Sequence, residues 1–122
     1  MFDIDLLSRT PIYEQLYNKT VELIIKGVLV ENSQLPSIRS LAKELGVNPN
    51  TVVKAYSQLE HDGIIYSLAG RGSFVAKVSD NMIKKSMFIQ FDDCVHKALK
   101  TGITKDELIL RINEVNNYDW VK

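Results

Sequence analysis

The sequence contains little cysteine, glycine or proline and no long apolar run. Its 122 residues include one cysteine, Cys94, which excludes an internal disulfide and a metal cluster built from cysteines alone. Six glycines and three prolines are too few for a disordered or fibrous chain. No run approaches the roughly 18 apolar residues of a membrane-spanning helix, and the N-terminus lacks the basic start and apolar centre of a signal peptide. We therefore expect a cytoplasmic globular protein that does not enter the membrane.

The sequence also lacks the motifs of catalysis. No nucleophile motif, phosphate-binding glycine loop or paired-carboxylate arrangement occurs, so we expect neither an enzyme nor a cofactor. Asp92 and His96 lie four residues apart beside Cys94 and could be considered as metal ligands. The ordinary interpretation of these residues is a solvated helix edge with one small buried thiol, and we predict no metal site.

Net charge is absent as well, because 15 basic residues balance 15 acidic ones. Taken alone, this balance argues against nucleic acid as a partner. The local distribution matters more than the sum, however, and residues 36–77 hold five basic and three acidic residues, whereas residues 1–35 hold three and five. The basic excess of the middle segment is small, so charge supports DNA binding only weakly.

What the sequence does contain is strong helical periodicity. The first periodic segment predicts a helix over about residues 11–30, with Thr10 as its N-cap and Pro11 at its first position. The apolar residues that share one face of this helix are Ile12, Leu16, Leu23, Ile24 and Val28.

A tight turn joins two further helices. The second helix spans about residues 37–45, with Ser37 as its N-cap, and Gly46 ends it in the left-handed conformation. Asn48 then caps a third helix over about residues 49–63. Two helices joined by so short a turn form a helix-turn-helix, and the first helix is needed to bury their apolar faces.

A β-hairpin is predicted next, from residues 64–68 and 73–76 around the glycine-containing loop 69–72. Helix, helix-turn-helix and hairpin follow one another in the order of a winged-helix domain. The predicted fold class is therefore mainly α with a small β-hairpin. It consists of an N-terminal winged helix-turn-helix over residues 1–78 and a C-terminal two-helix tail over residues 79–122.

Polar and cationic residues fall where a winged helix would meet DNA. At the start of the third helix, Asn50 can bond adenine, Thr51 offers a hydroxyl and a methyl, and Lys54 can reach a guanine edge or a phosphate. Arg39 suits a phosphate, and the Gly70-Arg71-Gly72 tip suits the minor groove or the backbone beside it. Each feature alone is explained by a cap, a solvated cation or a turn, but together they favour DNA.

In their order, these motifs resemble the DNA-binding domain of the GntR family of bacterial transcription regulators. The resemblance covers about residues 10–77. The segments that carry it are Pro11-Ile12-Tyr13-Glu14-Gln15-Leu16, Leu35-Pro36-Ser37-Ile38-Arg39-Ser40-Leu41-Ala42, Gly46-Val47-Asn48-Pro49-Asn50-Thr51-Val52, Ala55-Tyr56, Leu59-Glu60, Gly63-Ile64-Ile65 and Gly70-Arg71-Gly72-Ser73-Phe74-Val75.

The resemblance implies a homodimeric repressor on a palindromic operator of double-stranded DNA. Many members carry a second cation where this chain has Val53, so that role passes to Lys54 or is absent. The short tail resembles the YtrA-type branch, whose members often regulate transporter genes and whose tails mainly dimerise. The residues that we assign to DNA contact are Ser37, Arg39, Asn50, Thr51, Lys54, Gly70, Arg71 and Gly72.

The tail is predicted to contain two apolar-faced helices, the second of which starts at a capping box of Thr104 and Glu107. Such helices need a partner surface, either on a second copy or on the winged-helix domain of the same chain, and we favour the homodimer. The alternative is a winged-helix module without a specific DNA target, whose tail docks a partner protein. The sequence identifies no small-molecule effector. The predicted dimerisation residues are Ile83, Met87, Phe88, Phe91, Val95, Leu99, Leu108 and Ile112.

Overall fold

A computed structural model describes residues 1–117 as five helices and one antiparallel hairpin. The chain divides into two compact units, one over residues 1–86 and one that begins at Met87. The predicted boundary between residues 78 and 79 stays a prediction, and the last five residues of the predicted tail lie outside the described part. The elements are α1 (Ile12–Ile25), α2 (Ile38–Leu45), α3 (Pro49–His61), β1 (Ile65–Leu68), β2 (Gly72–Val75), α4 (Asp80–Lys100) and α5 (Lys105–Asn116).

Helix α1 is shorter than the periodicity predicted. It ends at Ile25 because Gly27, at φ +79°, lets the chain leave the helix, and the Val28 N–H donates to the Leu23 carbonyl at 2.9 Å. Leu23 is buried as predicted, but Val28 is 55% exposed, and Leu29 is buried in its place. The prediction that the helix continues to residue 30 was therefore wrong.

The start of α1 also differs from the prediction. Pro11 is itself the N-cap and makes no side-chain capping bond, so Thr10 does not cap the helix. Instead, the Gln15 side chain holds the preceding segment, since its Nε2 donates to the carbonyls of Thr10 at 2.8 Å and of Asp5 at 3.0 Å. A side chain inside the first turn thus fixes the entry of the chain into α1.

The helix-turn-helix agrees with the sequence prediction. Ser37 Oγ accepts a hydrogen bond from the Ser40 N–H at 3.0 Å, Gly46 adopts φ +69°, and Asn48 Oδ1 accepts from the Asn50 N–H at 2.8 Å. Together with α1 and the hairpin, these two helices bury one apolar core. Its fully or almost fully buried members include Leu16, Val21, Leu41, Val52, Leu59, Ile64 and Val75.

The wing contains more strand pairing than the two predicted segments. β1 and β2 are antiparallel, with Ile65 opposite Val75, and the segment between α1 and α2 also pairs along β2. The Asn32 N–H donates to the Val75 carbonyl at 2.7 Å, and the Leu35 N–H donates to the Ser73 carbonyl at 2.9 Å. These bonds fix the hairpin on the helical core.

The tail forms two helices, and the second begins at the predicted capping box. In the capping box of α5, the Glu107 N–H donates to Thr104 Oγ1 at 3.2 Å, and the Thr104 N–H donates to Glu107 Oε1 at 2.9 Å. Cys94 is exposed, so the expectation of a buried thiol was wrong. Within residues 1–117, none of the helices combines the length and the apolar character needed to cross a bilayer.

One carboxylate joins three helices of the first unit. Asp62 follows the last residue of α3, and its Oδ2 accepts from the Tyr17 hydroxyl of α1 at 2.5 Å and from Lys85 Nζ of α4 at 2.6 Å. The Lys85 ammonium also lies 4.6 Å from the centroid of the Tyr17 ring. Burial alone would raise the pKa of Asp62, but the hydrogen bonds from Lys85 and Tyr17 hold it well below its ordinary value.

Asp62→Asn should therefore lower the free energy of unfolding by about 1 to 2 kcal/mol at neutral pH, since two donors lose a charged acceptor and Lys85 is partly exposed. The pKa of Asp62 is lower in the folded than in the unfolded chain. Its stabilisation is therefore complete well above the ordinary value of 3.8 and is lost as the pH falls through the folded-state value. Urea denaturation of both proteins at a series of pH values measures this difference.

Asp93→Asn is the matched control, because it removes the carboxylate of an exposed pair with Lys97 inside α4, at 3.1 Å. We expect it to change the stability little at any pH. A stability difference for Asp62→Asn that stayed constant from neutral pH down to about pH 2 would contradict the assigned role of the carboxylate.

Candidate nucleic-acid interface

The outward face of α3 is a polar strip with two apolar members, Pro49 and Val53. Burial of Val52, Ala55, Tyr56 and Leu59 on the inner side leaves positions three or four residues apart exposed on the outer side. The exposed residues in the first three turns of the helix are Pro49, Asn50, Val53, Lys54, Ser57 and Gln58. An amide, a hydroxyl and an ammonium on one exposed helix face supply the donors and acceptors that can read base edges and phosphates.

Lys54 does not extend freely into solvent. Its Nζ lies 3.9 Å from the centroid of the Tyr13 ring in the first turn of α1. An open groove of about 390 Å³ lies there, lined by Pro11, Ile12, Tyr13, Asn50, Thr51 and Lys54. The structure thus brings three predicted site residues together around one groove. Sequence reasoning missed Tyr13, because only the packing of α1 on α3 brings the two side chains into contact.

Arg39 and Ser37 lie at the start of α2 and do not line this groove. Arg39 is exposed, and among residues 1–117 no ion pair engages its guanidinium. Ser37 uses an oxygen lone pair for the helix cap, which leaves its hydroxyl proton as a donor. Both groups remain able to bond an anionic partner.

The position of α2 relative to α3 is fixed by a buried tyrosine. The Tyr56 hydroxyl donates to the Pro36 carbonyl at 2.7 Å, which holds the residue before the Ser37 cap against α3. Burial raises the pKa of Tyr56 to about 12, so the hydroxyl remains a neutral donor over the physiological range. This bond therefore fixes the start of α2, which carries Arg39, against α3.

The wing tip is held by its backbone and leaves its cation exposed. Gln34 Nε2 donates to the Arg71 carbonyl at 2.7 Å, and the Arg71 N–H donates to the Leu68 carbonyl at 2.9 Å. Gly70 and Gly72 adopt φ +75° and +104°, where side chains are disfavoured. Gln34 is a second residue that sequence reasoning missed, since a polar residue in a loop carries no signal of its partner.

These features define a winged helix-turn-helix with cations at the starts of its second and third helices and at its wing tip. The sequence pattern of the bacterial regulatory proteins of the gntR family matches residues 12–75. The chain therefore belongs to the GntR family of DNA-binding transcription regulators, as the resemblance in its motifs predicted.

Known relatives agree with this assignment. The transcriptional repressor YtrA of Bacillus subtilis is 48% identical over the whole chain and 90% of its own length. YtrA of Sulfolobus acidocaldarius, a GntR-family transcription factor, is 41% identical, with a TM-score of 0.61 over 75% of this chain and 97% of its own. The AraR DNA-binding domain, solved with its operator ORX1, is 31% identical, with a TM-score of 0.54 over 62% of this chain and 93% of its own.

The residues assigned to dimerisation divide by exposure. Val95 and Leu108 are half-buried, whereas the other six are exposed in the single chain, Phe91 by 47%. Ile83 lies in the first unit and the other seven in the second. The exposed members are Ile83, Met87, Phe88, Phe91, Leu99 and Ile112.

Among residues 1–117, no group of three or more His, Cys, Asp or Glu side chains is placed to hold a metal ion.

Gly72→Ala should destabilise the protein more than Gly70→Ala. Both changes place a side chain at positive φ, which costs about 1 to 3 kcal/mol. At Gly72, however, the new Cβ would lie 2.8 Å from Gln34 Nε2, whereas at Gly70 it meets nothing within 4 Å. Displacement of the Gln34 amide breaks its hydrogen bond to Arg71, which lowers the stability by about a further 0.5 to 1.5 kcal/mol.

Urea denaturation of the two variants measures this difference. The single variant Gln34→Ala separates the two costs, since it removes the bond to Arg71 but adds no backbone strain. Equal losses for the two single glycine variants would show that Gln34 does not support the wing tip.

Proposed function

We propose that this GntR-family regulator is a sequence-specific repressor that acts as a homodimer on a palindromic operator. The observation that supports the proposal is that the helix-turn-helix and the wing of one domain expose three cationic or amide groups. Arg39 begins α2, Asn50 begins α3 and Arg71 forms the wing tip. The operator complex of the related AraR domain supports DNA as the partner. Such a regulator acts in the cytoplasm of a bacterium, where the operator lies.

The three groups have different tasks in this proposal. Asn50 can donate to and accept from the edge of adenine in the major groove, which selects one base pair. Arg39 and Arg71 bear charge that neutralises phosphate or enters the minor groove, which contributes affinity for many sequences. Sequence preference therefore depends on α3, and the salt dependence of binding depends on α2 and the wing.

The second unit supports dimerisation. Apolar side chains of α4 and α5 are exposed in the single chain, and apolar surface of this kind is stabilised when a second copy covers it. A two-fold arrangement would present two recognition helices to half-sites about one DNA turn, or roughly 34 Å, apart. Two copies of a weakly basic reader also gain affinity from simultaneous contact.

A relative supports repression, and the family resemblance supports a class of target genes. The Bacillus subtilis relative that aligns with the whole chain is a transcriptional repressor. Because the resemblance to the YtrA-type branch implies transporter genes as targets, we propose that the operator lies in the promoter of such genes.

Asn50→Ala and Arg71→Ala should weaken DNA binding in distinguishable ways. Arg71→Ala should lower the affinity for every duplex and reduce the slope of log affinity against log salt by about one per protomer. Asn50→Ala should relax the preference at one base pair per half-site, a difference of about 1 to 3 kcal/mol between operator variants. Fluorescence anisotropy with a panel of singly substituted operators at two salt concentrations measures both effects.

The unchanged chain must itself prefer its promoter fragment over random DNA in the same assay. Equal binding to both would refute sequence-specific regulation and would leave a protein-docking module as the remaining function. Identical effects of the two variants on every operator would refute the division between base and backbone contacts.

Phe91→Glu should convert the dimer into a monomer, since the charge would be buried at the centre of the proposed interface. Lys100→Glu is the matched control, because helical spacing places it on the opposite side of α4. Sedimentation equilibrium measures the mass of each protein. A Phe91→Glu chain that sediments as the unchanged protein does would show that α4 is not the dimer interface.

A further inference from the structure

We propose that Tyr13 is a positioning residue of the DNA interface, which holds the Lys54 ammonium in the groove beside the start of α1. In that place Lys54 binds the phosphate backbone instead of a base edge. The inference rests on the proposed function and specifies what one of its residues does. It also settles the two roles that the sequence left open for Lys54.

The Lys54 ammonium lies against the face of the Tyr13 ring. Lys54 Nζ lies 3.9 Å from the Tyr13 ring centroid, within the range in which the negative face of the ring attracts a cation. Tyr13 belongs to α1 and Lys54 to α3, so the contact directs the lysine away from its own helix and across the groove. Its ammonium retains donor capacity on the side that faces away from the ring.

The chemistry of the groove carries the second step. None of its six lining residues is acidic, and the Thr51 hydroxyl adds a second donor beside the ammonium. A lysine is a point charge that suits a phosphate oxygen, whereas a base edge is read best by planar paired donors or acceptors. Val53 and Ser57, which lie on the exposed line of α3 that would enter the major groove, do not line the groove that holds the Lys54 head group.

The test is a double-mutant cycle on a random-sequence duplex of about 30 base pairs, a length that covers two half-sites. Lys54→Ala should lower the affinity roughly tenfold for all sequences and reduce the salt slope by about one per protomer. Tyr13→Leu should lower the affinity roughly threefold, because no aromatic ring then holds the Lys54 ammonium in place. Tyr13→Phe keeps the ring and should bind as the unchanged protein does. In the Lys54→Ala background, Tyr13→Leu should have no further effect.

The outcomes separate this inference from the proposed function. Loss of binding by Tyr13→Leu that persists in the Lys54→Ala background, or that Tyr13→Phe fails to rescue, overturns the positioning role. A Lys54→Ala effect confined to one operator position, with an unchanged salt slope, overturns the assignment to phosphate. In both cases the unchanged chain still binds DNA. An unchanged chain that binds no duplex at low salt overturns the proposed function together with this inference.

A different observation carries a second inference. We infer that Val53 is a specificity-determining residue that contacts the methyl group of a thymine. Val53 is 41% exposed, although Val52 beside it is fully buried, and it lies between Asn50 and Ser57 on the outer strip of α3. The thymine methyl is the one apolar feature of base edges in the major groove. Apart from Pro49, Val53 is the one apolar residue that is exposed in the first three turns of α3. Contact with the thymine methyl would remove its side chain from water.

Uracil-substituted DNA tests this contact directly, because uracil lacks only the methyl group. The probe is a duplex that the full chain selects from a random pool, prepared with thymine or with uracil. Uracil should lower the affinity of the unchanged chain roughly fivefold, and Val53→Ala should lose most of that difference. Val78→Ala is the matched control, because Val78 is also 41% exposed but is not among the residues assigned to DNA contact, so it should keep the full difference. Thr51→Ser removes the other methyl near the start of α3 and tests whether that methyl makes the contact instead.

Equal affinity of the unchanged chain for thymine and uracil duplexes overturns the inference about Val53 and leaves sequence-specific binding intact. The same holds if Thr51→Ser, and not Val53→Ala, abolishes the difference. A pool from which the chain selects no duplex overturns the proposed function and this inference together.

Discussion

Helix α3 lies against α1 and α2 through Val52, Ala55, Tyr56 and Leu59, and this packing decides which of its residues can face DNA. A helix rotated by one residue would turn about 100° and would bring a different set of side chains outward. Burial of four side chains makes such a rotation costly, since each loses roughly 1.5 to 3 kcal/mol on exposure if it is large and apolar. The reading surface is therefore specified from the inside of the domain.

Contacts at the margins of this core fix the remaining parts of the interface. Tyr56 bonds the segment before α2, Gln34 bonds the tip of the wing, and Asp62 joins the end of α3 to α1 and α4. Each is a polar group that reaches across from one element to the backbone or side chain of another. Each such bond stabilises the fold by roughly 0.5 to 2 kcal/mol, and an interface that must match DNA within fractions of an ångström also depends on it for its geometry.

The sequence predicted the elements whose ends carry local signals. Ser37, Asn48 and Thr104 are caps whose partners lie two or three residues away, so their bonds can be inferred from spacing alone. The end of α1 was misplaced because apolar residues continue beyond Gly27 with helical spacing, and only the structure shows that the glycine adopts positive φ. The tertiary contacts of two side chains were not predicted, for a different reason. Tyr13 and Gln34 meet residues that lie dozens of positions away, and no local pattern records such a contact.

The absence of net charge acquires a physical meaning from the placement of the cations. Affinity for DNA arises mainly from the release of counterions by neutralised phosphates, so a neutral chain must place its few cations against the backbone and keep its carboxylates away. Asp62, the carboxylate nearest the end of α3, is bonded by Tyr17 and Lys85, so its charge is compensated within the domain. The groove at the opposite end of α3 contains no acidic lining residue. The compensated carboxylate of Asp62 and the cationic groove at the start of α3 thus give the helix an asymmetry of charge that the total charge does not reveal.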